Sequence, residues 1–240
     1  TVRPSKCRVG ETNVEFIGHQ LQGDGIKPIE DNLEKIRAAP RPTDKTQVRS
    51  FLGLTGYYRE YIPHYSTIAS PLTDLTKKGE PKKVRWQEPQ EKAYTSLKTM
   101  LTSAPILRLP DVHKPFVLRT DASDVGLGAV LMQTYDEKLF PVSYASRKLL
   151  DRERNYSAIE KECLAVVWAI KKYIQYLYGV EFTLQTDHQP LVYINQAKFE
   201  NSRVMRWAMY LQNFRIKVES IKGKDNVGAD YLSRIDSEFD

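Results

Sequence analysis

The chain has 240 residues, 41% of them hydrophobic and 28% charged, which is enough apolar material to build a core. No apolar run approaches the roughly 20 residues needed to cross a bilayer, and no signal-peptide pattern opens the chain, so neither a membrane protein nor a secreted one is expected. The net charge of +6 points to a polyanionic partner.

That charge is unevenly placed. Residues 1–113 carry 18 Lys and Arg against 13 Asp and Glu, while residues 114–240 carry 18 against 17. The two cysteines, Cys7 and Cys163, show no metal-ligand spacing and read as thiols of a reducing compartment. The chain begins at Thr1 rather than at a methionine, and the expectation is a piece of something longer.

Residues 7–29 read as a β-hairpin. Val14-Glu15-Phe16-Ile17 half-alternates, and Gln22-Gly23-Asp24-Gly25 supplies turn residues. Asp31 to Ile36 follows as a short helix that Pro40 and Pro42 close. Thr43 or Asp44 can cap the next helix, in which Val48, Phe51, Leu52 and Leu54 have helical spacing. Further helices are expected over 66–78 and 89–102, the second with Ala93, Leu97, Met100 and Leu101 on one face. Between them, Lys77-Lys78-Gly79-Glu80-Pro81-Lys82-Lys83 is a basic, turn-rich loop. Residues 30–105 are therefore expected to form a small helical bundle.

Residues 106–114 read as a proline-punctuated linker and a domain boundary. Three strands are expected next, at 115–121, 126–133 and 138–146, with Gly126 and Gly128 in the second allowing a close approach. A long helical stretch from Arg152 to Tyr178 leads to a strand at 182–186. A short helix at 188–196, a helix at 202–213, a strand at 214–221 and a last helix from Asn226 complete the chain. Strands followed by alternating helices and strands imply a mixed sheet covered by helices.

Two of these strands end alike, in Thr120-Asp121 and in Thr186-Asp187. Two parallel strands need a crossover, and the long helix supplies one. If the strands are neighbours, their final carboxylates lie roughly 5 Å apart. Carboxylates that close repel unless a cation sits between them, and hard oxygen ligands suit Mg²⁺. For either acid alone, a turn-forming Asp is the better account, and the repeated Thr-Asp tilts the pair toward function. On the long helix, at about 100° per residue, Ala169, Val166, Ile159 and Ala165 fall within roughly 60° of Glu162. Glu160 lies nearer Lys171 and is expected to face solvent. Asp230 would stand one turn into the last helix, and on position alone the helix N-terminal dipole accounts for it better than catalysis does.

Taken together, several motifs carry a resemblance. Thr120-Asp121-Ala122-Ser123 is followed by Gly126-Leu127-Gly128-Ala129, Tyr144-Ala145-Ser146-Arg147 and Glu160-Lys161-Glu162-Cys163. Thr186-Asp187-His188 and Asn226-Val227-Gly228-Ala229-Asp230 come after them. In this order they resemble the ribonuclease H domain of gypsy-type LTR retrotransposon reverse transcriptases. Upstream, Phe16-Ile17-Gly18-His19 resembles the primer-gripping hairpin at the end of the palm (1–29). Val48 to Leu54 with Tyr57-Tyr58-Arg59 resembles the thumb (30–105).

The resemblance implies a ribonuclease H-like α/β fold over 115–236, a mixed five-stranded sheet with helices. It implies Mg²⁺-dependent hydrolysis of the RNA strand of RNA–DNA hybrids. Asp121, Glu162, Asp187 and Asp230 would act as catalytic acids and as ligands for two Mg²⁺, with Mn²⁺ an alternative. It selects Glu162 over Glu160. The expected partners are the hybrid, the template-primer duplex and the missing palm and fingers of the same polyprotein, with a dimer as a further option and no membrane. The expected location is intracellular, in a cytoplasmic virus-like particle or the nucleus.

Three departures stand out. No Tyr-x-Asp-Asp box or adjacent Asp pair is present, so polymerisation is not expected of this piece. Residues 213–229 hold no histidine, and Asn195 to Ser202 is too short for a basic protrusion. Duplex grip is therefore expected from Arg49, Tyr57, Tyr58, Arg59, Lys77, Lys78, Lys82 and Lys83. The competing reading is a catalytically silent nucleic-acid-binding module.

Overall fold

The computed structural model describes residues 10–23, 25–103, 106–187 and 202–221. The hairpin is larger than expected. β1 (Asn13–Phe16), β2 (His19–Gln22) and β3 (Gly25–Pro28) pair antiparallel in order, and β4 (Leu107–Arg108) adds to β3. Part of the expected linker is thus the fourth strand of an N-terminal sheet. A two-residue strand has no periodicity for a sequence reading to detect.

Next come α1 (Glu30–Ala38), α2 (Lys45–Tyr57), a 3₁₀ turn (Arg59–Tyr61), α3 (Tyr65–Ile68), α4 (Ser70–Asp74) and α5 (Glu88–Thr102). Asp44 caps α2, its carboxylate accepting the Gln47 N–H at 2.9 Å, while Gln47 Oε1 accepts the Thr43 N–H at 2.8 Å. In α5, Pro89 occupies the first turn, where its missing N–H costs nothing, and Ala93, Leu97, Met100 and Leu101 are buried as their spacing requires. These helices close around Ile36, Val48, Phe51, Tyr58, Ile62, Leu72 and Leu97. The single helix expected over 66–78 is two short ones, α3 and α4.

The second sheet has the order β7-β6-β5-β8-β9, from β5 (Phe116–Ala122), β6 (Gly126–Tyr135), β7 (Lys138–Lys148), β8 (Glu181–Thr186) and β9 (Arg215–Ser220). Antiparallel pairs join β5, β6 and β7, and parallel pairs join β5, β8 and β9. It is the mixed five-stranded sheet expected. The crossover from β7 to β8 is broken into α6 (Asp151–Arg154), α7 (Ala158–Lys172) and α8 (Ile174–Leu177), with α9 (Ser202–Leu211) following β8.

Strand alternation gives this sheet two different faces. Phe116 and Leu118 of β5 and Leu131 of β6 pack with Val166, Ala169 and Ile170 of α7. On the other face, Tyr144 of β7 packs into the core of the helical bundle. Register links Tyr144 to Val130 and Arg119, and two residues on it links Ser146 to Gly128 and Asp121. Asp121 therefore belongs to the bundle-side face.

Candidate carboxylate centre and nucleic-acid surface

β5 and β8 pair in parallel from Phe116 with Phe182 to Arg119 with Gln185. Two residues further along the same register, Asp121 and Asp187 stand level at the carboxyl ends of adjacent strands. Ligands gather at such strand ends in α/β sheets. The loop after Asp121 is tied down by Ser123, whose Oγ accepts the Gly126 N–H at 3.0 Å. Lys161 of α7 reaches Asp124 at 2.7 Å, which holds the start of α7 against this loop.

Glu162 comes to the same place from α7. Ser157 caps that helix and Glu160 returns a carboxylate oxygen to the Ser157 N–H at 2.9 Å. The second turn thereby carries Glu162 inward, 9% exposed, and its Oε2 is buried without a hydrogen-bond partner among the described residues. Burial, then the charges of Asp121 and Asp187, push the Glu162 carboxyl up to about 8. Burial also raises Asp121, opposed by His64 and reinforced by Asp187, with a backbone hydrogen bond from Ala122 working downward. Three acids thus crowd one another where water is scarce.

Glu160 does not face solvent. It is 7% exposed and pairs with Arg203 of α9. Its two carboxylate oxygens serve the helix cap and the inter-helix ion pair, so it is a structural acid. Asp230 and His188 lie outside the described residues, as do the expected helices around them.

An orphaned buried carboxylate oxygen flanked by two more acids is a donor set suited to a hard divalent cation. Among the described residues, no three His, Cys, Asp or Glu groups already surround a single ion position. The fourth expected acid, Asp230, lies outside the described residues.

One neighbour has no counterpart in the sequence reading. His64, in the left-handed region at φ 51°, precedes α3 and brings its Nε2 to 3.8 Å from Asp121 Oδ2. Burial lowers its basicity, opposed by Asp121. Nothing local in Ile62-Pro63-His64-Tyr65 marks it as part of this centre.

The residues expected at the nucleic-acid surface meet elsewhere. The β1–β2 turn exposes Phe16 by 60% and Ile17 by 67%. It leans on the end of α2: the Tyr57 hydroxyl donates to the Ile17 carbonyl, and the Tyr58 hydroxyl donates to the Gly18 carbonyl at 2.7 Å. The His19 ring lies 5.4 Å from Tyr57 and 5.9 Å from Tyr61. A hollow of about 550 Å³ beside it is lined by His19, Leu52, Gly56, Tyr57 and Arg59. Tyr58 is fully buried and cannot face a duplex; its hydroxyl pins the turn. Arg49 is exposed but donates to the Thr76 carbonyl at 3.2 Å, and Lys77 pairs with Asp74 at 3.0 Å. Lys78, Lys82 and Lys83 are exposed in the basic loop, apart from the hairpin in sequence.

Residues 111–214 match the model of an RNase H-like domain found in reverse transcriptase. A retrovirus-related Pol polyprotein from transposon 297 of Drosophila melanogaster is 45% identical over 236 residues, which is 97% of this chain and 22% of that protein. The transposon Tf2-3 polyprotein of Schizosaccharomyces pombe is 36% identical over 242 residues, 99% of this chain and 18% of that protein. The chain thus spans about a fifth of the length of the curated relatives it matches. In fold it is similar to a foamy viral protease-reverse transcriptase solved with RNA/DNA hybrid, with a TM-score of 0.73 at 22% identity, over 91% of this chain and 30% of that one.

Proposed function

We propose that this chain cleaves the RNA strand of RNA–DNA hybrids, since residues 111–214 match the RNase H-like domain found in reverse transcriptase and the chain is similar to retrotransposon Pol polyproteins. The observation that supports this best is the buried, unpartnered Oε2 of Glu162, crowded by the charges of Asp121 and Asp187. An apolar or hydrogen-bonded residue would be more stable there, so the arrangement favours a ligand that binds carboxylates.

Asp121, Glu162, Asp187 and Asp230 are the residues to hold Mg²⁺. Bound there, the metal supplies an activated water at neutral pH and offsets charge on the departing oxygen. The chain's own contribution is positional. Backbone pairing of β5 with β8 levels two carboxylates, and the capped start of α7 delivers the third. The face carrying Asp121 is where a hybrid's backbone would be read. The hairpin tip at Phe16 and Ile17, Tyr57, Arg59 and the lysines Lys78, Lys82 and Lys83 are the surfaces to hold duplex, as thumb and primer grip.

Incubation of the chain with end-labelled RNA–DNA hybrid, with Mg²⁺ and with EDTA, tests the reading. Internal cleavage of the RNA strand alone, present only with the metal, is the expected result. Intact RNA under both conditions overturns it.

A further inference from the structure

The acid-bearing face of the second sheet is not open. His64 lies across Gly128, where a Cβ would meet its Cε1 at 2.4 Å and its Nδ1 at 2.5 Å. Two residues away along β6, a Cβ on Gly126 would meet Thr67 Oγ1 and the Arg147 carbonyl of β7, each at 2.9 Å. The Ser66 N–H donates to Ser146 Oγ at 2.8 Å. Lys148 donates to Asp74 Oδ1 at 3.1 Å and to the Ser70 carbonyl at 3.4 Å. Lys172 meets Glu60 at 3.5 Å, and Tyr144 is packed into the bundle core. The contacts run from the 3₁₀ turn through α3 to α4, and they end with an imidazole beside Asp121.

We propose that the helical bundle is a built-in cover for the carboxylate centre, and that it must lift from β6 and β7 before a phosphodiester can reach Asp121. The inference rests on the nuclease reading for its consequence, but its geometry is independent of it. A duplex backbone and the His64 side chain cannot occupy the same space over Gly128. The cover is held by a few polar contacts and one shared aromatic, while the glycines give it a fitted seat. Cover and hybrid are therefore competitors for one face, and duplex held by the bundle is not cut until the bundle moves.

The test uses the full 240-residue chain with Cys7→Ser, Ser66→Cys and Ser146→Cys, and as controls the two chains that carry only one of the introduced cysteines, the buried Cys163 remaining in all. The Ser66–Ser146 hydrogen bond puts these positions within reach of a disulfide. Oxidation is expected to lock the cover and reduce hybrid cleavage at least tenfold, with full recovery on reduction. Excess uncleaved hybrid, added in EDTA before oxidation, is expected to slow disulfide formation at least fivefold. Failure of the disulfide to form in the free chain overturns the proposal, as does undiminished cleavage by the oxidised chain. If no variant cleaves in either redox state, the nuclease reading falls. The competition arm still decides the cover: slowing supports it, and an unchanged rate overturns it.

Discussion

Glu160 and Glu162 stand two residues apart on α7, both buried, and only Glu160 has a cationic partner, Arg203, beside its bond to the Ser157 cap. Their roles should separate on mutation. Glu162→Gln is expected to reduce hybrid cleavage at least a hundredfold while leaving the fold intact. Glu160→Gln should cost about 1–2 kcal/mol of stability, because a charge-assisted bond to a partly exposed arginine is weakened. Its turnover should stay within a few-fold of the parent. Denaturant melts and single-turnover cleavage of both variants check this; equal loss of cleavage from the two would refute the assignment.

Asp121→Asn should likewise abolish cleavage in a folded protein. It should also abolish the rise in melting temperature that Mg²⁺ is expected to give the parent chain, since a ligand that binds only the folded state stabilises it. A folded Asp121→Asn protein that cuts normally would contradict the site.

The crowded acids predict a pH dependence in EDTA. Glu162 titrates near 8 in the folded chain, against an ordinary value of 4.5. Between those values the folded state holds the proton and the unfolded state does not, so stability falls as pH rises through this window. The full effect is on the order of 5 kcal/mol. Asp74 and Glu153, whose pairings hold them below ordinary values, act at more acid pH and do not mask it. Thermal melts at pH 5 and pH 8 should differ by several degrees, and Glu162→Gln should flatten the difference. A parent chain more stable at pH 8 than at pH 5 would argue against the burial of this carboxylate.

The basic loop gives a binding prediction. Phosphate contacts make affinity fall with salt, by a slope of roughly 0.9 per neutralised phosphate. Replacing Lys78, Lys82 and Lys83 together by Ala should lower that slope by about 2 and weaken hybrid and DNA duplex alike. Lys77→Ala should do less, since Lys77 is already paired with Asp74. Affinity measured from low to high salt decides; an unchanged slope means that the loop is only solvated.

Tyr58→Phe isolates the hairpin. The hydroxyl accepts from Asn32 Nδ2 at 2.7 Å and donates to the Gly18 carbonyl at 2.7 Å. Its removal should cost about 1 kcal/mol: Asn32 Nδ2 loses its acceptor, and the Gly18 carbonyl keeps only the Ile29 N–H at 3.2 Å. Duplex affinity should fall with it, because the exposed turn at Phe16 and Ile17 loses its anchor. A drop in stability with unchanged affinity would place duplex binding elsewhere.

What the sequence shows of this architecture follows from how far each signal reaches. Asp121 and Asp187 are legible because both close apolar strands with the same Thr-Asp pair, and the register that levels them is backbone pairing. The helical angle leans to Glu162, which the structure buries within reach of the Asp121 charge. It misses the burial of Glu160, because an angle treats α7 as isolated, and Arg203 arrives from 43 residues away. Tyr58 reads as a surface aromatic beside Tyr57 and Arg59, but the chain turns there and points it inward. β4 is too short to show a period. His64 is invisible because its partner, Asp121, belongs to the other half of the chain.

The seat at Gly128 has a consequence for sequences not yet in hand. A single methyl group added there would come within 2.4 Å of the His64 ring, so the imidazole must turn away from its place beside Asp121. Among homologues, the residue aligned with Gly128 should thus sort chains into two kinds. Those with glycine can seat the imidazole against the sheet, and those with anything larger must turn it away. A lineage could pass from one kind to the other by one nucleotide change, without altering any of the acids.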